Sequence, residues 1–321
     1  MSPKSEREQN LLILIDGHAL VHRSFHAIQQ PLTVSTTGED VRGVYGFVNA
    51  FLRTIGEWQP SHVVITFDLP APTFRHKMFE QYKAHRPPTP PELKTQFDRV
   101  RQIMTAFQVP IYELKGFEAD DLLGTLSKQA ESSDIDTLIL TGDSDTLQLV
   151  SNRVRVLMNA GTQKRSLYDI EAVQERYGGL GPEYVAEIKA LQGDSSDNIP
   201  GVPGIGVKTA IKLLVDYGSL DGIYENVEDV KPPRAKTSLL ENRELAYQSK
   251  KLTTIVRDAP AELNLKDAVF GGFERNSIVS LLRELEFHSI LPRIPVDEMS
   301  DNPTNFEKST DSQLTLFTSS H

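Results

Sequence analysis

Three apolar runs in this chain each close on an aspartate: LLILID from Leu11 to Asp16, HVVITFD from His62 to Asp68, and TLILTGD from Thr137 to Asp143. Short runs of β-branched and aliphatic residues read as buried strands, and helical patterns lie between them. One such pattern is Ala119 to Ala130, where Leu122, Leu123 and Leu126 recur at helical spacing. Strand and helix in alternation predict an α/β fold with a mostly parallel sheet and flanking helices, since a parallel pair needs a crossover long enough to hold a helix. Each run then delivers an acid to the carboxyl edge of one sheet, the edge at which such folds bind ligands.

Nine carboxylates follow this plan: Asp16, Asp68, Glu118, Asp120 and Asp121 in GFEADD, Asp143 and Asp145 in TGDSD, and Asp194 and Asp197 in GDSSDN. Brought together they would repel one another unless cations neutralised them, and an all-oxygen donor set suits hard ions such as Mg²⁺ or Mn²⁺. The pattern points to divalent-metal phosphoryl transfer. Asp120 and Asp121 also fall in the first turn of a predicted helix, where the dipole favours acids without any function. Capping explains neither Glu118 nor the pair Asp143 and Asp145. DSDT after TLILTG is also similar to the D-x-D element of aspartyl-phosphate phosphohydrolases, although Leu147 stands where that pattern wants Thr or Val. A non-catalytic DNA-binding subunit is a second alternative, and it would not need nine acids.

The chain has 321 residues, 39% of them hydrophobic, enough for one large domain or two smaller ones. It contains no cysteine, which excludes disulfides, zinc–thiolate sites and thiol nucleophiles. The first ten residues, MSPKSEREQN, lack the apolar core of a signal peptide and read as a flexible terminus. No stretch of about 20 apolar residues offers a membrane span, so a cytoplasmic location is expected. The net charge of −10 does not exclude a nucleic-acid partner, since nine of those charges are the acids above, and −10 less −9 leaves −1.

Residues 74–101 are basic: Arg75, Lys77, Lys83, Arg86, Lys94, Arg99 and Arg101 stand against Glu80, Glu92 and Asp98, with Phe74, Phe79 and Tyr82 interleaved. Such a stretch can track phosphates and stack bases, or it can be a solvated amphipathic helix. Pro87, Pro88, Pro90 and Pro91 predict a stiff loop before a helix from Leu93 to Phe107, with Phe97, Val100, Ile103, Met104 and Phe107 facing the core. Beyond residue 180 the pattern is helical. Pro182 and Gly193 bracket one helix, and GVPGIGVKTAIKLLVDYG from Gly201 leads through a glycine turn into a second. Free N–H groups from Gly204 to Val207, a helix dipole, and Lys208 and Lys212 suit a phosphate backbone held by a helix-hairpin-helix. A nucleotide P-loop would need a preceding strand and no Val207 before Lys208.

The motifs ILIDGHALVHRSFHA, VYGF, FDLPAPTFRHKMFEQYKAHRPPTP, GFEADD, LTGDSDTLQL and LQGDSSDNIPGVPGIGVKTA, in order over residues 11–290, resemble the 5′ nuclease domains of bacterial DNA polymerases I, kin to phage 5′ nucleases and flap endonucleases. The resemblance implies a PIN-like domain over 11–180 with a helical arch at about 74–101, and a helix-hairpin-helix region over 181–295. It implies structure-specific cleavage of DNA with a 5′ flap or single-stranded 5′ end, and of RNA–DNA hybrids, by a two-metal mechanism in Okazaki fragment processing and repair. All nine acids match its metal-site positions: Asp16, Asp68, Glu118 and Asp120 the inner set, Asp143, Asp145, Asp194 and Asp197 the outer, with Asp121 completing the motif. Lys83 and Arg86 match basic arch residues that contact the scissile phosphate, and Arg23 a basic position near the first Asp. Arg75, Tyr82, Gly204, Gly206, Lys208, Thr209 and Lys212 become DNA-contact candidates, with a monovalent cation at the hairpin. A monomer located beside the bacterial nucleoid is expected. Ser144 stands where relatives often carry Lys, which predicts weaker DNA binding there and intact chemistry; Val207 stands where they often carry Glu and removes a charge beside the DNA grip.

After Pro295 the sequence turns polar, and residues 296–321 read as a disordered tail. Within it QLTLF, with Gln313, Leu314, Leu316 and Phe317, resembles the pentapeptide that docks on bacterial sliding clamps; the bland alternative is a random apolar patch. The chain ends four residues after Phe317, so a stand-alone nuclease recruited by a clamp is expected beside the reading as the amino-terminal part of a polymerase.

Overall fold

The computed structural model describes residues 10–159 and 165–295. The amino-terminal segment before residue 10 and the tail with its QLTLF motif therefore lie outside the described residues.

A six-stranded sheet organises the molecule, in the order β3-β2-β1-β4-β5-β6. The strands are β1 (Leu11–Asp16), β2 (His62–Thr66), β3 (Ile111–Tyr112), β4 (Asp136–Thr141), β5 (Val154–Asn159) and β6 (Arg165–Tyr168). All pairs are parallel except β5 with β6. β1 sits at the centre because it is apolar on both faces: Leu12 and Leu14 enter one hydrophobic cluster, Leu11, Ile13 and Ile15 the other. The chain builds β1, β2 and β3 in one direction and then returns to lay β4 on the other side of β1, so the switch in strand order falls between the ends of β1 and β4. Asp16 and Asp143 emerge there, at the crevice that such a switch opens.

Helices α1 (Gly17–Ala27), α2 (Arg42–Trp58), α3 (Phe74–Met78), α4 (Pro91–Ala106) and α5 (Ala119–Ser132) connect the strands. α2 buries Val44, Phe47, Val48, Phe51, Leu52 and Ile55, a stripe at helical spacing, against the second cluster. Each such side chain stabilises the fold by about 1.5–3 kcal/mol, and truncating Phe51, which is fully buried, would cost about 3–5 kcal/mol. α4 begins two residues earlier than its apolar pattern suggests, at Pro91, because proline is well suited to a first helical turn.

The expected helical arch takes a different form. α3 is only five residues long, residues 79–86 run through turns, and prolines fill 87–91 before α4. Lys83 has φ +55°, which no helix accommodates, and the prolines remove donors. The segment folds inward over the carboxyl edge of the sheet, where Lys83 N donates to Asp197 O at 2.9 Å and Asn198 Nδ2 to Gln81 O at 2.7 Å.

The chain then becomes helical: α6 (Ile170–Arg176), α7 (Val185–Gln192), α8 (Val207–Tyr217), α9 (Leu220–Glu225), α10 (Pro233–Glu241), α11 (Arg243–Thr253) and α12 (Arg275–Glu284). α7 is entered through a 3-10 turn at Pro182–Tyr184, and a glycine-rich connection joins it to α8. Helices α6 to α11 and the connection before α8 share the first cluster with the sheet: Leu191, Ile205, Leu213 and Leu239 belong to the same core as Leu12 and Ile139. A returning segment ties back to the sheet, with Phe270 N donating to Ser61 O, and α12 packs Ile278 and Leu282 into the second cluster.

Candidate active site

Asp16 caps α1, accepting from Ala19 N at 2.9 Å and from the Thr141 hydroxyl at 2.6 Å. The turn is tight: a side chain at Gly17 would meet the Phe67 ring at 2.6 Å and the Thr66 carbonyl at 2.9 Å. Asp68 follows β2 and accepts from Ala119 N at 2.7 Å, which ties it to the start of α5. Glu118 caps α5, and Asp120 lies in that helix's first turn. Asp143 caps a 3-10 turn, Ser144–Leu149, and its carboxylate accepts from Asp145 N at 2.9 Å. Asp194 and Asp197 come from the loop after α7. Gly201, at φ +62°, closes that loop so tightly that a Cβ there would lie 2.1 Å from Gly193 N.

The acids meet. Burial raises Asp120 well above the carboxylate range, with further repulsion from Asp16, Asp143, Asp68 and Glu118. Burial also pushes Asp16 up to about 7, against hydrogen bonds from Thr141 and Ala19 that pull it down. Asp145 likewise rises to about 7, through burial and then Asp143. Carboxylates that repel this strongly require counter-charge, and the chain supplies part of it. Lys189 on α7 reaches Asp145 and Asp194 at 2.6 Å each. Lys83 Nζ sits 2.9 Å from Glu118 and 3.8 Å from Asp197, and Arg86 pairs with Asp197. Burial presses Lys83 down, but Glu118 and Asp197 outweigh it and hold the ammonium above its ordinary pKa. With these side chains in place, no three His, Asp or Glu among the described residues close into a ready ligand shell.

The cleft around the acids measures about 1120 Å³. His18, His22 and His26 line one wall, with His18 stacked on Phe97 at 4.3 Å. Burial and then His18 and His26 bring His22 down to about 4, so it is neutral at ordinary pH. Arg23 lines the same wall and donates to Gly142 O at 2.7 Å.

Three residues singled out in the sequence have protein partners of their own in the structure. Arg75, read as a DNA contact, and Asp121, read as completing the metal site, form a buried ion pair with each other at 2.7 and 2.8 Å. Arg75 also donates to the carbonyls of Leu252 and Thr254, and Asp121 accepts from Glu118 N and Val256 N. Both Asp121 oxygens are thus taken by protein donors, and the pair clamps α3, α5 and the end of α11. Tyr82 was read as a base-stacking neighbour, yet it is buried and donates to both Glu118, at 3.0 Å, and Asp197, at 2.9 Å. A hydroxyl has a single hydrogen, so it is shared between the two carboxylates.

The hairpin residues Gly204, Gly206, Lys208 and Lys212 are exposed and Thr209 half-exposed at the start of α8, and none lines the cleft. Gly204 holds φ +80° over open space. Sequence reading missed Lys189, Thr141 and the histidine wall. For Lys189 the one available signal was a lysine five residues before Asp194; Thr141 and the histidines gave no sign until β1, β4 and α4 came together.

Fold and site define a class: an α/β domain with acids massed at a topological switch point, followed by a helical domain that shares its core. The chain belongs to the 5′-3′ exonuclease family, its residues 11–178 matching the N-terminal resolvase-like domain and 180–276 the C-terminal SAM fold. It is 45% identical over 280 residues to DNA polymerase I of Chloroflexus aurantiacus, covering 86% of this chain and 30% of that protein. To DNA polymerase I of Bacillus caldotenax it is 42% identical over 284 residues, 88% of this chain and 32% of that one. It thus spans about a third of the length of these relatives. Among solved structures, T5 5′-exonuclease with bound zinc matches with a TM-score of 0.61 at 20% identity, over 86% of this chain and 98% of that one. The catalytic core of Rad2 in complex with DNA substrate matches with a TM-score of 0.58 at 14% identity, over 89% and 93%. No helix among the described residues is long and apolar enough to cross a membrane.

Proposed function

We propose that this chain is a structure-specific 5′ nuclease that hydrolyses DNA phosphodiesters at a 5′ flap or single-stranded 5′ end with two divalent cations, Mg²⁺ or Mn²⁺. The observation that carries this reading is the convergence of seven carboxylates in one cleft at the sheet edge, with Asp194 joined to Asp145 through Lys189, beneath a basic segment that carries Lys83 and Arg86. The donor set fits hard cations: it is all oxygen, and Asp16 and Asp145 are pushed up to about 7 by burial and by neighbouring acids, the condition that a bound cation relieves. Asp16, Asp68, Glu118, Asp120, Asp143, Asp145, Asp194 and Asp197 would hold the ions. Bound there, the ions supply Lewis-acid chemistry, activating water and stabilising the attacking and leaving oxygens.

The chain's own residues do the rest. Lys83 and Arg86 leave their carboxylate partners for the scissile phosphate, orienting it and stabilising its charge. Tyr82 and Lys189 keep Glu118, Asp197, Asp145 and Asp194 in position. The exposed start of α8, with Lys208 and Lys212, grips the duplex backbone, and a monovalent cation at its glycine turn would complete that grip. Okazaki fragment processing and repair are the cellular roles this activity suits, acting on RNA–DNA hybrids as well as DNA, as a monomer, whether the chain stands alone or precedes a polymerase. QLTLF would recruit it to a sliding clamp.

The test is cleavage of an end-labelled 5′-flap duplex in Mg²⁺, resolved by product length. Products cut near the junction are expected. Products without dependence on a 5′ end, or no products in either Mg²⁺ or Mn²⁺, would overturn the reading. Release of phosphate from small monoesters would instead favour a phosphohydrolase.

A further inference from the structure

Along α1, next to the cleft that holds the carboxylates, lies a second cavity, of about 330 Å³. Four arginines from separate parts of the chain face it: Arg23 on α1, Arg53 on α2, Arg165 at the start of β6 and Arg293 in the turn after α12. None of the residues lining it is acidic. In a chain of net charge −10 this is a local reversal of sign, and guanidinium groups gathered in a partly enclosed space repel one another.

The repulsion is only partly answered. Arg165 has one carboxylate partner, Glu57 at 2.8 Å, itself half-exposed. Arg23 is held by the Gly142 carbonyl, and Arg293 by the side chain and carbonyl of Asn49, all neutral oxygens. Arg165 is 9% exposed; beyond Glu57 it donates to the Thr54 hydroxyl at 2.8 Å, a neutral oxygen, while its Nε has no hydrogen-bond partner among the described residues. Its pKa is pressed down by burial, with Arg53 adding to that pressure and Glu57 opposing it. Four guanidinium groups lining one partly enclosed space, with a single carboxylate among the described residues ion-paired to any of them, are matched by an anion with several oxygens. Phosphate answers that description, because the arginine fork fits two of its oxygens at once. Tyr45, Asn49 and Asn159 add neutral hydrogen-bonding groups to the same walls. The volume is at the low end for a ligand pocket, with room for one nucleotide and none for a duplex.

The cavity also adjoins the cleft, since Arg23 and Ala27 line both. We propose that it is a second phosphate-binding site, next to the carboxylate cleft along α1, that seats one phosphate-bearing nucleotide unit. The unit belongs to a strand of nucleic acid bound across the cleft; a free nucleotide presents the same chemistry. The first source rests on the nuclease reading, whereas the phosphate chemistry does not.

The test uses the whole chain, the double variant Arg53→Gln/Arg293→Gln, and Arg283→Gln as a control outside the cavity. Binding of an uncut 5′-flap duplex in chelator is measured across a salt series, and inorganic phosphate and dAMP are titrated calorimetrically. A strand source predicts duplex binding about tenfold weaker or more in the double variant, with a shallower slope of log K against log salt by about one to two, and wild-type behaviour in the control. A free-nucleotide source predicts a dAMP or phosphate heat in the wild type that the double variant loses. The proposal falls if the folded double variant keeps the duplex affinity and salt slope while neither small ligand gives a heat in the wild type. Arg53→Gln alone, at an exposed position, is read by the same criteria if the double variant does not fold. A flap that binds through this cavity and is never cut would sink the nuclease reading and leave this site standing.

Discussion

The Arg75–Asp121 pair offers the sharpest test of how the site is built. Arg75 is 3% exposed and Asp121 fully buried, joined by two hydrogen bonds of 2.7 and 2.8 Å. Arg75→Ala would leave the Asp121 carboxylate buried without its counter-ion, and breaking a buried pair from one side costs about 3–5 kcal/mol. Asp121→Asn should be nearly as costly. All four of its contacts are donors, two to each oxygen, so an amide nitrogen would have to face two of them. For a folded unit of this size the loss corresponds to a melting midpoint lower by about 5–9 °C. Thermal unfolding of both variants and of Arg75→Ala/Asp121→Ala should show a strong coupling, the double variant being less damaged than the two losses summed. At temperatures where each variant is folded, flap cleavage should persist. If Asp121→Asn melts like the wild type yet loses cleavage, Asp121 is a metal ligand and the structural assignment is wrong. If Arg75→Ala melts normally but binds DNA weakly, Arg75 is the DNA contact that the sequence suggested.

Asp68→Asn or Asp145→Asn should nearly abolish flap cleavage in Mg²⁺ while DNA binding remains measurable by gel shift; unimpaired turnover in either would remove that acid from the site. Lys83→Ala should slow single-turnover cleavage by about 10²–10³-fold at saturating DNA, the loss typical of one preorganised charge donor, and a change in affinity alone would reassign Lys83 to binding. Tyr82→Phe should release Glu118 and Asp197 from the position in which the shared hydroxyl holds them, with a higher Mg²⁺ requirement as the readout; an unchanged titration would mean that the shared hydroxyl is incidental. The pH dependence of the metal-free protein follows from Asp16 and Asp145, whose folded pKa values near 7 exceed the ordinary 3.8. The native state then binds more protons than the unfolded chain between these values, so stability should fall as pH rises from about 4 through 7. Divalent ions should flatten that slope in thermal melts; a metal-free midpoint that climbs over the same window would contradict the crowding of the acids.

Much of this protein is legible along the chain. The runs ending at Asp16, Asp68 and Asp143 became β1, β2 and the end of β4 with its turn, because an apolar period and a following acid are local signals that a buried strand obeys wherever it is placed. Cysteine-free acid clusters named the donor chemistry for the same reason: carboxylate spacing survives folding. The sequence could not decide which acids share a site with cations and which are consumed as structural partners. Asp120 and Asp121 are neighbours in one motif, but on adjacent positions of a helix they point about 100° apart, one into the acid cluster and one into Arg75. The basic stretch at 74–101 was equally ambiguous, since composition describes an arch and a plug alike; only packing against the 194–199 loop turned Tyr82, Lys83 and Arg86 inward. Lys189 bridging two acids and four arginines around one cavity came from elements far apart in sequence. Local propensity fixes what each segment is, whereas long-range charge pairing depends on which segments become neighbours, and that is decided only when the sheet closes its order around β1.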